Sequence, residues 1–400
     1  MDKKFELATP IINKLYQFGF EAYFVGGAVR DYLIGREIAD VDIATSATPD
    51  EMKKIFNRTI DVGAKHGTIV VVTKQGSFEV TTFRSEGTYI NSRRPSKVTF
   101  ISSLNEDLKR RDFTINAIAM TKVGDVIDFF GGKKDIEDGV IRTVGKPSDR
   151  FGEDALRMMR ALRFASQLDF TIEKETKEAI IQSHSLLEDI SIERKTAEIQ
   201  KLFLGCNPQL GLRYLIETKV YLFLPQFSQN KTLLEKLLNV ELKKLNNVEE
   251  VWSVLCLAMK ISDIDLFLKK WKLSTKLIRS VKQLVKFVNK RLQAPLSNWM
   301  VYHLGVEQAI KVENILSIME NNQVKSDHEI KNQYNLLPIK ERQELACDGK
   351  DLLSWFQSKK PGAWIEESIQ AVEKQVVEGH LQNDKLLIKE WLISRANKSS

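Results

Sequence analysis

Near residue 150 the hydrophobic period of the chain changes, and that change restricts the fold more than any other feature. Before it, short β-rich runs such as AYFVGGAV, GTIVVVT, FEVTTF and VIDFF are bounded by turn residues. Helical patterns lie between them at 5–18 and 49–57. TPDEMKKIF predicts a helix start, with Thr48 as N-cap, Pro49 in the first turn and Glu51 closing a capping box. Beyond residue 150 the strand signals stop. Long amphipathic patterns take over, among them IERKTAEIQKLFLG, which Gly205 ends as a C-cap, and EEVWSVLCLAMKI. The polar stretch NNQVKSDHEIKNQ, 321–333, predicts a break before a last helical segment. The pattern is that of a mixed α/β head over 1–150 followed by an extended all-α body, divided into 151–205, 206–320 and 321–400.

A chain of 400 residues exceeds one ordinary core. Its 43% hydrophobic and 28% charged content is that of a globular protein, and a net charge of +7 leans toward a polyanionic partner. Cys206, Cys256 and Cys347 form no CxxC pair, which argues against a disulfide framework or a zinc knuckle and suits a cytoplasmic protein. The N-terminus has no signal-like apolar run, and no stretch approaches the ~18 apolar residues of a membrane span. The five histidines lack ligand spacing. Whether the chain dimerises is open, and a homodimer is among the states it allows.

In YFVGGAVRDYLIG, an apolar strand runs into Gly26-Gly27 and then a helix carrying Arg30 and Asp31. Such a turn is a plain tight turn, or it brings backbone N–H groups against a phosphate with Arg30 beside it. IADVDIATSATP follows, and in a strand Asp40 and Asp42 share one face. They are a solvated strand edge, or two hard-oxygen ligands for Mg²⁺ completed by substrate phosphates. In LKRRDFTINAIAM, Arg111, Asp112 and Asn116 fall on a short helical pattern that buries Phe113 and Ile115.

The order of these motifs resembles the head of the polymerase-beta-like nucleotidyltransferases. The resemblance implies a glycine turn at Gly27 and Arg30 that holds a triphosphate, and Asp40 and Asp42 as catalytic, metal-holding carboxylates of a two-metal site. Glu79 in FEVTTFR is the candidate third carboxylate. RRDFTINA is similar to the motif of tRNA nucleotidyltransferases, the CCA-adding enzymes, and of the related bacterial poly(A) polymerases. By that likeness Arg111 contacts nucleotide phosphates, and Asp112 and Asn116 contact the sugar or organise the site.

EDALRMMRALR, 153–163, reads as one partly buried helix bearing Asp154, Arg157, Arg160 and Arg163. At about 100° per residue, Asp154, Arg157 and Arg160 share a surface and Arg163 lies roughly opposite Asp154. The bland reading is a salt-bridge ladder. With the head motifs in place, a chemical reading opens. Cytosine and adenine each present an amine beside a bare ring nitrogen. A carboxylate accepts from the first and an arginine donates to the second, whereas guanine and uracil would leave both groups unpaired. The stretch resembles the EDxxRxxR motif of class II CCA-adding enzymes. On that likeness Asp154 and Arg157 read the base, Arg160 supports them, and Arg163 is a nucleotide or structural contact.

GGAVRD, DVDIAT, DVGAKHGT, RRDFTINA and EDALRMMRALR stand in family order, with weaker likeness in LPIK and ELACDGKDLL. Together they resemble the Gram-positive type of bacterial CCA-adding enzyme, which implies tRNA, CTP and ATP as substrates. The runner-up is a poly(A) polymerase or an A-adding tRNA nucleotidyltransferase. The stretch SEGTYINSRRPSKV, 85–98, fills the place of a loop that CC-only enzymes lack, but has Ile90 and Asn91 where the family often has acids. The runs KKLNN, KKWKLSTK and KFVNKR are solvated faces or a track for RNA phosphates.

Overall fold

The computed structural model describes residues 1–87, 89–90, 94–95, 98–320 and 324–398. Asn91 and the start of the 321–333 stretch lie outside the described residues. The chain forms two compact units, Met1–Lys243 with Lys270–Lys272, and Lys244–Lys269 with Leu273–Ser400.

The first unit begins with a sheet of seven strands: β1 Ala22–Val25, β2 Asp42–Thr45, β3 Thr59–Gly63, β4 Thr68–Val72, β5 Ser77–Thr82, β6 Ile118–Met120 and β7 Val126–Asp128. Their spatial order is β7-β6-β1-β2-β5-β4-β3. β2 and β5 run parallel, and the other neighbours are antiparallel. Period two gives β1 two apolar faces. Phe24 meets Phe5 of helix α1, Lys3–Gln17, with ring centroids 4.7 Å apart. Val25 and Ala44 face the other way, into a cluster with Phe83, Leu104, Leu108, Ala117 and Val144. Helix α2, Gly27–Leu33, follows β1, and α3, Pro49–Ile55, opens with the expected capping box on Thr48 and Glu51. Helices α4, Leu104–Lys109, and α5, Gly132–Glu137, complete the head.

Further helices continue the first unit, among them α6 Pro147–Glu153, α7 Leu156–Leu168, α8 Lys174–Ser183, α9 Ile192–Phe203 and α10 Pro208–Glu217. Helix α7 is buried on most of its surface, Arg157 and Arg163 included, and α9 and α10 pack on it closely. Gly205 does not adopt the left-handed cap conformation expected of it. It is a point of close approach, where an added Cβ would lie 2.1 Å from Ser166 Oγ. The carbonyl of Leu202 accepts a 2.5 Å hydrogen bond from the same Ser166 hydroxyl.

The second unit is helical among its described residues. Val248–Ala258, Thr275–Arg291 and Asn298–Glu320 pack around Trp252, Val281, Leu284, Val301, Val312 and Ile315. In the polar stretch expected as a break, residues 324–326 are non-helical, and a helix then starts, Asp327–Asn335, capped by Ser326 and Glu329. Two of the basic runs are partly structural. Arg291 donates to the buried Glu313 at 2.6 Å, and Trp271 is fully buried within the first unit.

Candidate nucleotide site

Strand pairing sets the carboxylates. In the parallel register Asp42 stands beside Glu79, and in the antiparallel one beside Val25, so Asp42 and Glu79 share the sheet face covered by α4. Asp40 lies in the segment leading into β2, outside the strand expected to carry it. Asp40, Asp42 and Glu79 together line a cavity of about 570 Å³ with Gly76 and Ser77. Solvent reaches the Asp42 side chain, yet the protein crowded around it, then Glu79 and Asp40, push its carboxyl up to about 6 against the pull of Arg111. Repelling carboxylates of this kind fit a cation. Among the described residues no three side chains close a protein-only metal cage. One or two carboxylates completed by substrate phosphates is the donor set that suits Mg²⁺.

Asp42 also lines a second cavity, of about 710 Å³. Its described lining carries nine cationic side chains against the carboxylates of Asp42, Asp112 and Asp154. Gly26 turns the chain at its mouth with φ 73°, where a Cβ would sit 3.0 Å from Arg111 Nη1. Gly26 is therefore the position that requires glycine, while Gly27 opens α2 and lines the same cavity. Arg30 is buried, and it donates to Asp31 Oδ1 at 2.8 and 3.0 Å and to Asn116 Oδ1 at 2.6 Å. Asn116 Nδ2 in turn donates to Asp112 Oδ1 at 3.1 Å. Helix α4 ends at Lys109, so Arg111 and Asp112 lie on irregular chain before the short turn Thr114–Asn116, not on a helix as expected. Asp107, one residue before the motif that the sequence singled out, is buried and pairs with Arg110 at 2.8 Å and Arg111 at 3.3 Å.

Asp112 joins two of these side chains, Asn116 and Arg160. Its Oδ2 accepts from Arg160 Nε at 2.7 Å. Burial alone would push its carboxyl up, but Arg160, the Asn116 amide and Arg157 outweigh that and hold it at about 2.

The stretch 153–163 is not one helix. α6 ends at Glu153, and Asp154 adopts φ −138°, ψ 104° before α7 begins at Leu156. Helical spacing does not carry across that break, so Arg163 is not opposite Asp154 as expected, and both residues line the larger cavity. Asp154 Oδ1 accepts from the Leu156 amide at 3.0 Å, and its Oδ2 accepts from Arg194 of α9 at 2.6 Å. Arg157 donates to Glu153 at 2.6 Å and to the Arg110 carbonyl at 3.0 Å. Arg163 stands 3.3 Å from Glu198, also on α9. The sequence reading missed Arg110, Arg194 and Lys201 as lining residues. The i, i+4 spacing of Arg194 and Glu198 in IERKTAEIQ sets those two on one helix face, which is the signal the sequence held for Arg194. Arg111 Nε and Arg194 Nη1 are buried without hydrogen-bond partners among the described residues, as donors awaiting an anion would be, whereas Arg163 Nε already faces the Glu198 carboxylate.

Comparisons with known proteins agree along the chain. Residues 22–142 match the family model of the poly(A) polymerase head domain, and 243–392 match that of tRNA nucleotidyltransferase domain 2. Residues 169–230 match the model of the RNA- and SrmB-binding site of polymerase A. The chain is 47% identical to the CCA-adding enzyme of Enterococcus faecalis, over 99% of this chain and 96% of that one. It is 46% identical to the CCA-adding enzyme of Bacillus subtilis, over 98% of each. The solved structure of the Bacillus stearothermophilus CCA-adding enzyme in complex with CTP is 42% identical and superposes with a TM-score of 0.92, covering 100% of this chain and 99% of that one. With a mixed-sheet head, a helical body and this likeness over its full length, the chain belongs to the CCA-adding enzymes, of the type found in Gram-positive bacteria.

Proposed function

We propose that this protein adds and repairs the 3′-terminal CCA of tRNA from CTP and ATP, without a nucleic-acid template, releasing pyrophosphate. The observation that carries the reading is the larger cavity: a cationic wall for a triphosphate, meeting at Asp42 the carboxylate cluster of Asp40 and Glu79. Curated relatives from Enterococcus faecalis, Bacillus subtilis and Geobacillus, at 44–47% identity over nearly the whole chain, are named CCA-adding enzymes, which disfavours the poly(A) polymerase reading.

In this reading Asp40 and Asp42, with Glu79 beside them, hold divalent cations, and we assign Mg²⁺ on the chemistry of the donors. Bound there, such ions supply activation of the attacking tRNA hydroxyl and stabilisation of the departing pyrophosphate. The chain's own residues do the rest. Gly26 and Gly27 let the backbone come close to the triphosphate, and Arg30 and Arg111 bind it. Asp112 and Asn116 fix Arg30 and Arg160 relative to one another. Asp154 accepts from the exocyclic amine of C or A, and Arg157 donates to the neighbouring ring nitrogen. Guanine and uracil would leave both groups unpaired in the cleft, at a cost of roughly 1–3 kcal/mol each. Arg160 supports the pair, and Arg163 shares their cavity. Residues 1–150 serve as catalytic head, 151–205 as base-reading neck, 206–320 as body and 321–400 as the tRNA-binding tail.

The test is incubation with tRNA lacking its CCA end and each labelled NTP in turn, with sequencing of product ends. CMP, CMP and AMP are expected in that order. Failure to incorporate CMP refutes the proposal, and unlimited AMP addition to arbitrary RNA would replace it with polyadenylation.

A further inference from the structure

Phe164 follows Arg163 on α7, is 5% exposed and lies on the wall of the larger cavity. The guanidinium carbons of Arg30, Arg160 and Arg163 stand 5.2, 5.3 and 4.2 Å from its ring centroid. Each of these arginines has a carboxylate of its own, respectively Asp31, Asp112 and Glu198. Those carboxylates sit on three separate segments, and the ring is what all three arginines share.

Three like charges gathered so closely repel one another. Carboxylates can offset the repulsion, but they cancel charge and occupy N–H donors. An aromatic face attracts cations through its quadrupole while adding no net charge. A ring at the centre therefore keeps the arginines together and leaves their charge available to an anion. The ring itself is held edge-on to the fully buried Phe113, with centroids 5.7 Å apart and planes at 84°. Arg163 Nε stands 3.3 Å from Glu198 Oε2 and makes no hydrogen bond among the described residues.

We propose that Phe164 is a positioning residue for nucleotide binding, whose ring gathers Arg30, Arg160 and Arg163 into one cationic wall for the triphosphate. The inference rests on the nucleotide-transfer reading above. The test titrates the full-length protein by calorimetry with CTP and, separately, with inorganic tripolyphosphate. Phe164→Leu and Phe164→Met keep an apolar side chain and remove the ring. Both are expected to weaken binding of each probe about tenfold, while Phe164→Tyr stays within about twofold of wild type. Stepwise fluorination of the phenylalanine at 164 weakens the quadrupole at nearly constant shape, and each added fluorine is expected to raise both dissociation constants. The KM for tRNA should not move in any of these variants.

Unchanged tripolyphosphate affinity in Phe164→Leu, or no trend along the fluorinated series, overturns the proposal even where the melting temperature falls. The CMP-incorporation assay on the wild type separates the two ideas. A wild type that adds no CMP but shows the fluorine trend refutes the transfer reading and leaves the role of Phe164 standing. An active wild type without the trend does the reverse.

Discussion

Asp42 shows what a single site residue costs the fold. Crowded by protein and facing Glu79 and Asp40, it is held in an environment that disfavours its charge. Asp42→Asn is therefore expected to abolish nucleotide addition and, in chelator at neutral pH, to raise the melting temperature, as removal of a strained functional group does. Thermal melts of the two proteins in EDTA decide it. Asp112 is the opposite case, with its carboxyl held at about 2 by Arg160 and Asn116 after burial is outweighed. A depressed carboxylate contributes stability that is present above its unfolded value and lost as pH falls through the folded one. The gain is on the order of 2 kcal/mol above about pH 4 and fades toward pH 2. Urea midpoints measured from pH 5 to 2 should show that loss in wild type, and Asp112→Asn should lack this component.

At the scale of elements, the junction between α6 and α7 sets where the proposed base-reading carboxylate stands. Because the helix breaks at Asp154, its carboxylate reaches Arg194 of α9. Arg194→Ala is expected to free Asp154 and raise GMP and UMP incorporation about tenfold relative to CMP, with less effect on the rate of CMP addition itself. Competition assays with mixed NTPs measure it. The same helix packing depends on Gly205, where a Cβ would meet Ser166 Oγ at 2.1 Å. Gly205→Ala should lower stability by roughly 1–3 kcal/mol through overpacking, read as a shift in urea midpoint.

Over the whole molecule, the two compact units are not cut cleanly along the sequence. Lys270–Lys272 belong to the first unit, and Trp271 there is fully buried against Phe227, with centroids 5.1 Å apart. Its carbonyl accepts from Thr196 of α9 at 2.8 Å. Trp271→Ala should destabilise the first unit by about 3–5 kcal/mol, and calorimetric CTP affinity at low temperature should remain near wild type. The run KKWKLSTK looked basic and solvated because four lysines surround the one residue that matters to the core.

What the sequence determined by itself was whatever is encoded at short range. The change of period near residue 150 announced a sheet followed by helices, and the box at Thr48 and Glu51 was legible because both partners lie within one turn. The motifs carrying Gly27, Arg30, Asp42, Arg111 and Arg157 were visible as residue types in order. What only the tertiary structure decided is which of these meet. Parallel pairing of β2 with β5 sets Glu79 beside Asp42. A break in backbone dihedrals that local apolar periodicity does not register brings Arg163 into the cavity with Asp154. Helix packing adds Arg194, and a buried ring gathers three arginines. The reason is physical: periodicity and capping are properties of neighbouring residues, whereas strand register and helix packing are fixed by burial across the whole unit.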